Sequence, residues 1–281
     1  MNELFLERMK ALLKEDYPAY VESLAMPAFR GFRVNPLKTT PERLFEYFKV
    51  KVKPSPFISN GFILEEEDRL GKSLVHKQGL IYMQEPSAST VVQLLDPKPG
   101  EMILDLCAAP GSKSTQIAEY MQQEGTLIVN EIDHKRSQVL LSNIERLGIS
   151  NAIVTNASPE KLCPVLKNCM DKILVDAPCS GEGMFKKEDE AIKDWSEEHV
   201  LACALRQRKI LDSAYEALKG GGILVYSTCT YSKEENEETV EYFLDHHPDM
   251  ELVPIEVNWG RAGMDTKYPT HLCRRIFPMD G

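Results

Sequence analysis

The sequence has no long hydrophobic run. None of its 281 residues lies in a stretch near the roughly 18 consecutive apolar residues that a membrane-spanning helix needs. The first sixteen residues carry Glu3, Glu7, Arg8, Lys10 and Lys14, and they lack the apolar core of a secretory signal. Seven cysteines, an odd number without framework spacing, argue against a disulfide scaffold and fit a reducing cytoplasm. Cys163 and Cys169 have no second pair to complete a zinc site, and the six histidines form no ligand pattern, so no metal is expected. Net positive charge is missing too: the formal charge is −10, which argues against nonspecific adhesion to polyanions. The deficit is uneven. Residues 1–60 hold ten Lys/Arg against seven Asp/Glu, whereas the remainder holds 23 against 36. Two glycine fingerprints are also absent. Around residues 105–114 only Gly111 is present, which excludes the G-x-G-x-x-G dinucleotide loop, and no upstream glycine completes a P-loop before Lys113.

What is there suffices for one large core and a smaller appendage, since 43% of the residues are hydrophobic. Residues 3–25 present one apolar helix face, which Pro18 interrupts. A short strand at 30–36 ends in a turn at Pro36. Thr40 then caps a helix with Pro41 at its first position. Residues 49–53 read as another strand before the breaker Pro54-Ser55-Pro56. These elements form a small basic α/β unit ending near residue 70. Beyond it, helices at 87–95, 112–121, 135–147 and 197–218 alternate with strands at 102–106, 126–130, 152–155, 171–175 and 223–226. Ser232 and Glu235 read as a capping box for a helix at 234–246, and 252–257 as a further strand. The alternation predicts an α/β fold with a doubly wound, mostly parallel sheet.

Two segments fifty residues apart carry the chemistry. Asp176-Ala177-Pro178-Cys179-Ser180-Gly181 follows one apolar strand, and Ser227-Thr228-Cys229-Thr230-Tyr231-Ser232 follows another. Ends of parallel strands open into the ligand crevice of such a sheet. Two thiols and a carboxylate placed there suit a pyrimidine ring, to which a thiolate adds while a carboxyl group polarises it. Spacing alone does not choose between Cys179 and Cys229 as nucleophile. The first strand of the alternating region ends in Asp105-Leu106-Cys107-Ala108-Ala109-Pro110-Gly111-Ser112-Lys113, a small-residue loop that lets a ligand approach the backbone. The second ends at Asn130-Glu131, where a carboxylate can accept from both hydroxyls of a ribose. Together they point to a nucleoside-bearing cofactor without a pyrophosphate.

These segments resemble the RNA cytosine-5 methyltransferases of the NOL1/NOP2/Sun family. Gly181-Glu182-Gly183-Met184, Trp195-Ser196 and the N-terminal pattern Arg30–Lys38 look most like the bacterial, RsmF-like branch that modifies 16S ribosomal RNA. The resemblance implies a Rossmann-like S-adenosylmethionine-dependent methyltransferase sheet (residues 71–281) and a small N-terminal α/β RNA-binding domain (residues 1–70). It implies S-adenosylmethionine held by Cys107, Ala108, Ala109, Pro110, Gly111, Ser112 and Lys113, with Glu131 on the ribose and Arg136 supporting it. Ser158 stands near the adenine, where the family often has an acid. Asp176 is counted with both the cofactor and the catalytic set. The resemblance assigns the nucleophile to Cys229, release of the product to Cys179, the cytosine edge to Asp176, and reach toward the target base to Lys113. Arg30, Arg33 and Lys38 are expected on RNA phosphates, and the target base is expected to be flipped or single-stranded.

The implied partner is RNA, either 16S ribosomal RNA or the small subunit. Transfer RNA is a second reading, and a ribosome-assembly factor with incidental methylation a third. A DNA cytosine methyltransferase fits poorly, because those enzymes lack the Thr-Cys motif. In the family a Gly-Glu-Gly-rich turn and a last strand usually follow the point where this chain stops. A catalytic domain truncated at its C-terminal end is therefore expected, one that binds cofactor better than it modifies RNA.

Overall fold

The computed structural model describes residues 2–66, 70–187 and 189–280. Residues 67–69, where the small N-terminal unit is expected to end, lie outside the described residues, as does Gly281. The chain divides into two compact units, neither continuous in sequence. One comprises Phe29–Asp176 and Ser213–Ser227; the other comprises Met1–Ala28, Ala177–Asp212 and Thr228–Gly281.

The first unit contains two sheets. Four short strands, β1 (Gly31–Val34), β2 (Val52–Pro54), β3 (Gly61–Leu64) and β4 (Ile81–Met83), form an antiparallel sheet of order β2-β3-β1-β4. The expected strand at 30–36 contains β1, whereas the one expected at 49–53 overlaps β2 only at 52–53, with the supposed breaker Pro54 inside the strand; β3 and β4 were not legible, because strands of three or four residues carry too little alternation to register. The helix Pro41–Tyr47 starts as expected, with Thr40 accepting from Arg43 N at 3.4 Å and Pro41 in its first turn. Phe32, Val34, Leu44, Leu70 and Ile81 form the core of this part.

The second sheet is parallel throughout. Its strands are β5 (Met102–Asp105), β6 (Thr126–Asn130), β7 (Ala152–Thr155), β8 (Met170–Asp176) and β9 (Leu218–Ser227), in the order β7-β6-β5-β8-β9. The near-continuous apolar runs of β5, β6 and β8 bury Ile103, Leu104, Leu127, Val129, Ile173, Leu174 and Val175. Such runs, rather than alternation, mark strands covered on both faces. The helices Ser112–Met121 and His134–Leu147 supply Ile117, Met121, Leu140, Ile144 and Leu147 to the same core. Winding reverses between β5 and β8, so a ligand crevice belongs at the carboxyl ends of these two strands.

The second unit is largely helical and is built on aromatic packing. Phe5, Met9, Tyr20, Phe185, Trp195, Val200, Tyr231 and Phe277 are buried together. The Phe5 ring lies edge-on to Phe185 at 4.8 Å and to Trp195 at 5.5 Å. Pro18 does not simply break the first helical segment. It sits in the first turn of a second helix, Tyr17–Ala25, where its missing N–H costs nothing.

Two expectations fail in this unit. The capping box does not form: the helix begins at Glu237, after an Asn236 whose side chain caps nothing. Ser232 Oγ instead donates to Glu182 Oε1 at 2.6 Å, and Glu235 accepts from Ser180 N at 3.0 Å. Buried partners across the fold outcompete the local box. Residues 252–257 form no strand; Pro254 interrupts them and Val253 is exposed. The strands here are β10 (Arg261–Ala262) and β11 (Arg274–Arg275), paired antiparallel.

Candidate active site

In the first unit, the loop after β5 is held from three sides. Ala108 N donates to Asn130 O at 2.8 Å, Asn143 Nδ2 to Pro110 O at 2.8 Å, and Arg136 Nη2 to Ala109 O at 2.9 Å. Gly111, at φ +109°, turns the chain into the helix Ser112–Met121, a conformation that a side chain would strain. Glu131 follows β6 and is buried. Its Oε1 accepts from Asp133 N at 2.9 Å, and its Oε2 faces Arg136 Nη1 at 3.4 Å. Arg136 therefore ties the small-residue loop to the acid. Ile132, beside Glu131, exposes most of its side chain, an apolar surface that the sequence reading passed over. Ser158 precedes the short helix Pro159–Leu162 without capping it, next to Ala157, whose carbonyl accepts from Asn130 Nδ2 at 3.0 Å. Burial, then the carboxylates of Asp105, Asp176 and Glu131, push the Cys107 thiol far above its ordinary range, so it stays protonated.

Asp176 ends β8. Its Oδ2 accepts from Lys113 Nζ at 2.6 Å and its Oδ1 from Ser227 Oγ at 2.7 Å, so both oxygens have donors. Lys113 is thus engaged by Asp176 in this arrangement. Below them Asp105 is fully buried, with Oδ2 accepting from Ser114 Oγ at 2.6 Å. Burial, with Asp176 adding repulsion, pushes Asp105 up to about 7.

The chain leaves this unit between Asp176 and Ala177, and again between Ser227 and Thr228. Each motif therefore has its strand in one unit and its cysteine in the other. In the second unit the two thiols meet. Cys179 Sγ lies 3.0 Å from Cys229 Sγ and accepts from Cys229 N at 3.3 Å. Cys229 is exposed and Cys179 half-buried. The hydrogen bond with Cys229, then burial, raise the Cys179 thiol well above its usual range. Gly183 leaves room for this turn: a Cβ there would come within 2.9 Å of Cys229 O.

Two buried acids lock the cysteine loops: Glu182, to which the sequence gives no role, and Glu235, expected only as a capping-box partner. Glu182 Oε1 accepts from Trp195 Nε1 at 2.9 Å and Ser232 Oγ at 2.6 Å; its Oε2 accepts from Thr230 Oγ1 at 2.9 Å and Tyr231 N at 2.8 Å. Glu235 Oε2 accepts from Ser180 N at 3.0 Å and Gln207 Nε2 at 2.7 Å, and its Oε1 is in short contact with Ser180 Oγ. Ser180 Oγ also contacts Thr230 Oγ1 at 2.8 Å. The row Glu235–Ser180–Thr230–Glu182 has three contacts but only two hydroxyl protons. A proton on Glu235 completes it, and burial raises Glu235 in that direction. The only sequence signal for these roles was Glu182 within the Gly-Glu-Gly segment.

Arg33 is not available to RNA. It is 1% exposed, and its Nε meets both oxygens of Glu119 at 2.8–2.9 Å. Its other donors go to Gln84 Oε1 and Thr115 Oγ1. The family resemblance places Arg33 on RNA phosphates; β1 is instead buried along its whole length. Lys38 stays exposed, with Nζ on the carbonyls of Gln78 and Arg146 at 2.9 and 2.7 Å. Arg30 is exposed as well. Among the described residues no cluster of three His, Cys, Asp or Glu stands ready for a metal ion, and no helix is long and apolar enough to cross a membrane.

The switch point between β5 and β8, the small-residue loop and the acid after β6 define a Rossmann-like methyltransferase fold. The crystal structure of a methyltransferase homolog protein from Pyrococcus horikoshii superposes with a TM-score of 0.84 at 32% identity, covering 99% of this chain and 91% of that one. The model of the 16S rRNA methyltransferase RsmB/F family matches residues 92–280, and that of the N-terminal domain of 16S rRNA methyltransferase RsmF matches residues 1–86. The chain belongs to the RsmB/F methyltransferase family. It is 37% identical to ribosomal RNA small subunit methyltransferase F of Erwinia tasmaniensis over 98% of its own length and 59% of that protein. It is 38% identical to the protein of the same name from an Enterobacter species, over 99% and 61%. The chain thus spans about three fifths of the length of these curated relatives.

Proposed function

We propose that the chain is an S-adenosylmethionine-dependent RNA cytosine-C5 methyltransferase acting on 16S ribosomal RNA in the cytoplasm. The observation that carries this reading is the thiol pair: an exposed Cys229 within 3.0 Å of a Cys179 whose pKa is raised. Carbon 5 of cytosine is a poor nucleophile until a group adds at carbon 6. Cys229 Sγ attacks carbon 6, which makes carbon 5 enamine-like and links the base covalently to the chain. Asp176 bonds the N3/N4 edge and stabilises the charge that develops there, with Lys113 and Ser227 orienting its carboxyl group. Once carbon 5 carries its methyl group, a base removes the carbon-5 proton and Cys229 leaves as thiolate. Cys179, held as a thiol, assists that release.

S-adenosylmethionine, when bound, supplies an electrophilic methyl group. The residues after β5 and β6 suit it: the backbone of 107–113 for its methionine part, Glu131 for the ribose hydroxyls, Ile132 for a face of the adenine. Arg136 stabilises the loop and the acid together, and Ser158 lies at the adenine end. Residues 1–70 form the RNA-binding part of this reading and 71–281 the catalytic part.

The test is transfer of labelled methyl from S-adenosylmethionine to small ribosomal subunits, naked 16S RNA and transfer RNA. Label in ribosomal RNA that disappears in Cys229→Ala, with a covalent RNA adduct in Cys179→Ala, is the expected result. Label only in transfer RNA replaces the substrate, and no label with cofactor bound supports an assembly role instead.

A further inference from the structure

A groove lies between the helix Pro41–Tyr47 and the segment 74–80, and none of the residues after β5 or β8 lines it. Its volume is about 530 Å3, within the range of small-ligand sites. One wall is the helix Pro41–Tyr47, which contributes Arg43 and Tyr47, four residues apart and so on one face. Leu74 and Val75 of the short helix Leu74–Lys77 form the other wall, over a floor of Leu44, Phe48 and Leu80. Tyr47 is 88% exposed and Leu74 67%. Among the described residues, the Arg43 guanidinium and the Tyr47 hydroxyl make no hydrogen bond or ion pair. Lys38 places a fixed positive charge at one end, pinned by the carbonyls of Gln78 and Arg146. The lining contains no carboxylate, although the chain as a whole carries −10.

We propose that this groove holds an unpaired nucleotide of the substrate RNA strand, with its base stacked on Tyr47 and its phosphate on Arg43 and Lys38. The proposal rests on the reading of the chain as an RNA methyltransferase. Charge complementarity selects the occupant. A solvent-exposed aromatic ring in one groove with two cations and apolar side chains matches the way single strands are held, by stacking plus backbone charge. The neighbouring groove around Phe45, Val50 and Val52 lacks this character, because Lys51 is paired with Glu66 and Lys49 donates to Phe45 O.

The test measures binding of the intact chain to a fluorescently labelled, unstructured RNA oligonucleotide and to its duplex. Wild type, Tyr47→Ala, Tyr47→Phe and Arg43→Ala are compared, with thermal unfolding as a control for folding. Tyr47→Ala is expected to weaken single-strand binding about tenfold, while Tyr47→Phe stays within about twofold of wild type. Arg43→Ala lowers affinity and makes it less salt-dependent. For methyl transfer, the KM for RNA rises in both variants and kcat at saturating RNA stays unchanged. If wild type binds and methylates RNA and the Tyr47→Ala and Arg43→Ala variants do so equally well, the groove is not an RNA site and the methyltransferase reading stands. Equal losses in Tyr47→Phe and Tyr47→Ala overturn the stacking role. If wild type neither binds nor methylates RNA, both readings fall.

Discussion

At the scale of single residues, chemistry follows from which protons the fold holds in place. Asp105 is the clearest case. Its pKa is about 7 against an ordinary 3.8, so the folded state binds a proton that the unfolded chain has lost between pH 4 and 7. The associated stability is present below pH 4 and is lost as pH rises to 7. Asp105→Asn removes the charged form, and its carboxamide oxygen still accepts from Ser114. The variant is expected to be more stable than wild type at pH 8, by roughly 1–4 kcal/mol, and the gain shrinks toward pH 4. Thermal melts across that range read it, and a constant difference at every pH contradicts it. The two acids behind the cysteines differ in the same currency. Glu182 accepts four donors, so Glu182→Gln turns an amide toward hydrogens and costs on the order of 2–4 kcal/mol. Glu235→Gln keeps an oxygen for Ser180 N and Gln207 while its amide donates to Ser180 Oγ, as a protonated Glu235 does. It is expected to retain wild-type stability and methyl transfer. Denaturation and turnover measured side by side distinguish the pair; equal damage from both substitutions refutes the proton count.

At the scale of elements, buried polar pairs decide how the strands and helices dock. Arg33 on β1 reaches across to Glu119 of the helix Ser112–Met121, and Asn60 donates to the same carboxylate at 3.2 Å. Burial raises Glu119 even with the guanidinium beside it, so the pair does not fully recover what desolvation costs. Removing one partner is worse than removing both. Arg33→Ala is expected to destabilise the chain by about 3–5 kcal/mol in urea unfolding, whereas Arg33→Met with Glu119→Leu recovers a large part of the loss. A loss below about 1 kcal/mol for Arg33→Ala means that the pair contributes little to docking. The helix starts show the opposite balance. Thr40, exposed at the surface, caps its helix as its local sequence says. Ser232 and Glu235 do not, because Glu182 and Ser180 claim them.

At the scale of the whole molecule, the proposed function makes a chain of net charge −10 meet RNA with few cationic contacts. For an unpaired strand held by two cations, affinity should then depend weakly on salt, with a log–log slope of about −1.4 rather than the steep slopes of highly basic binders. Binding titrations between 50 and 200 mM salt measure this; a slope beyond about −5 points to a larger basic surface than Arg43 and Lys38 provide. The two compact units also show why chain order misleads. Each motif runs from a strand of the parallel sheet into the other unit, so neither unit is a contiguous stretch and no composition shift marks the boundary.

The sequence by itself determined the parallel sheet and the position of both cysteines. Apolar runs ended by Asp105, Glu131, Asp176 and Ser227 are local signals, set by burial on two faces and by strand length. The extent of the helices Ser112–Met121 and His134–Leu147 was legible for the same reason. Tertiary structure alone decided the rest. It buried Arg33, paired Lys113 with Asp176, set Glu182 and Glu235 behind the thiols, and broke the expected capping box. Those outcomes depend on partners tens of residues away in the chain, and a buried donor or acceptor takes whichever partner packing brings to it.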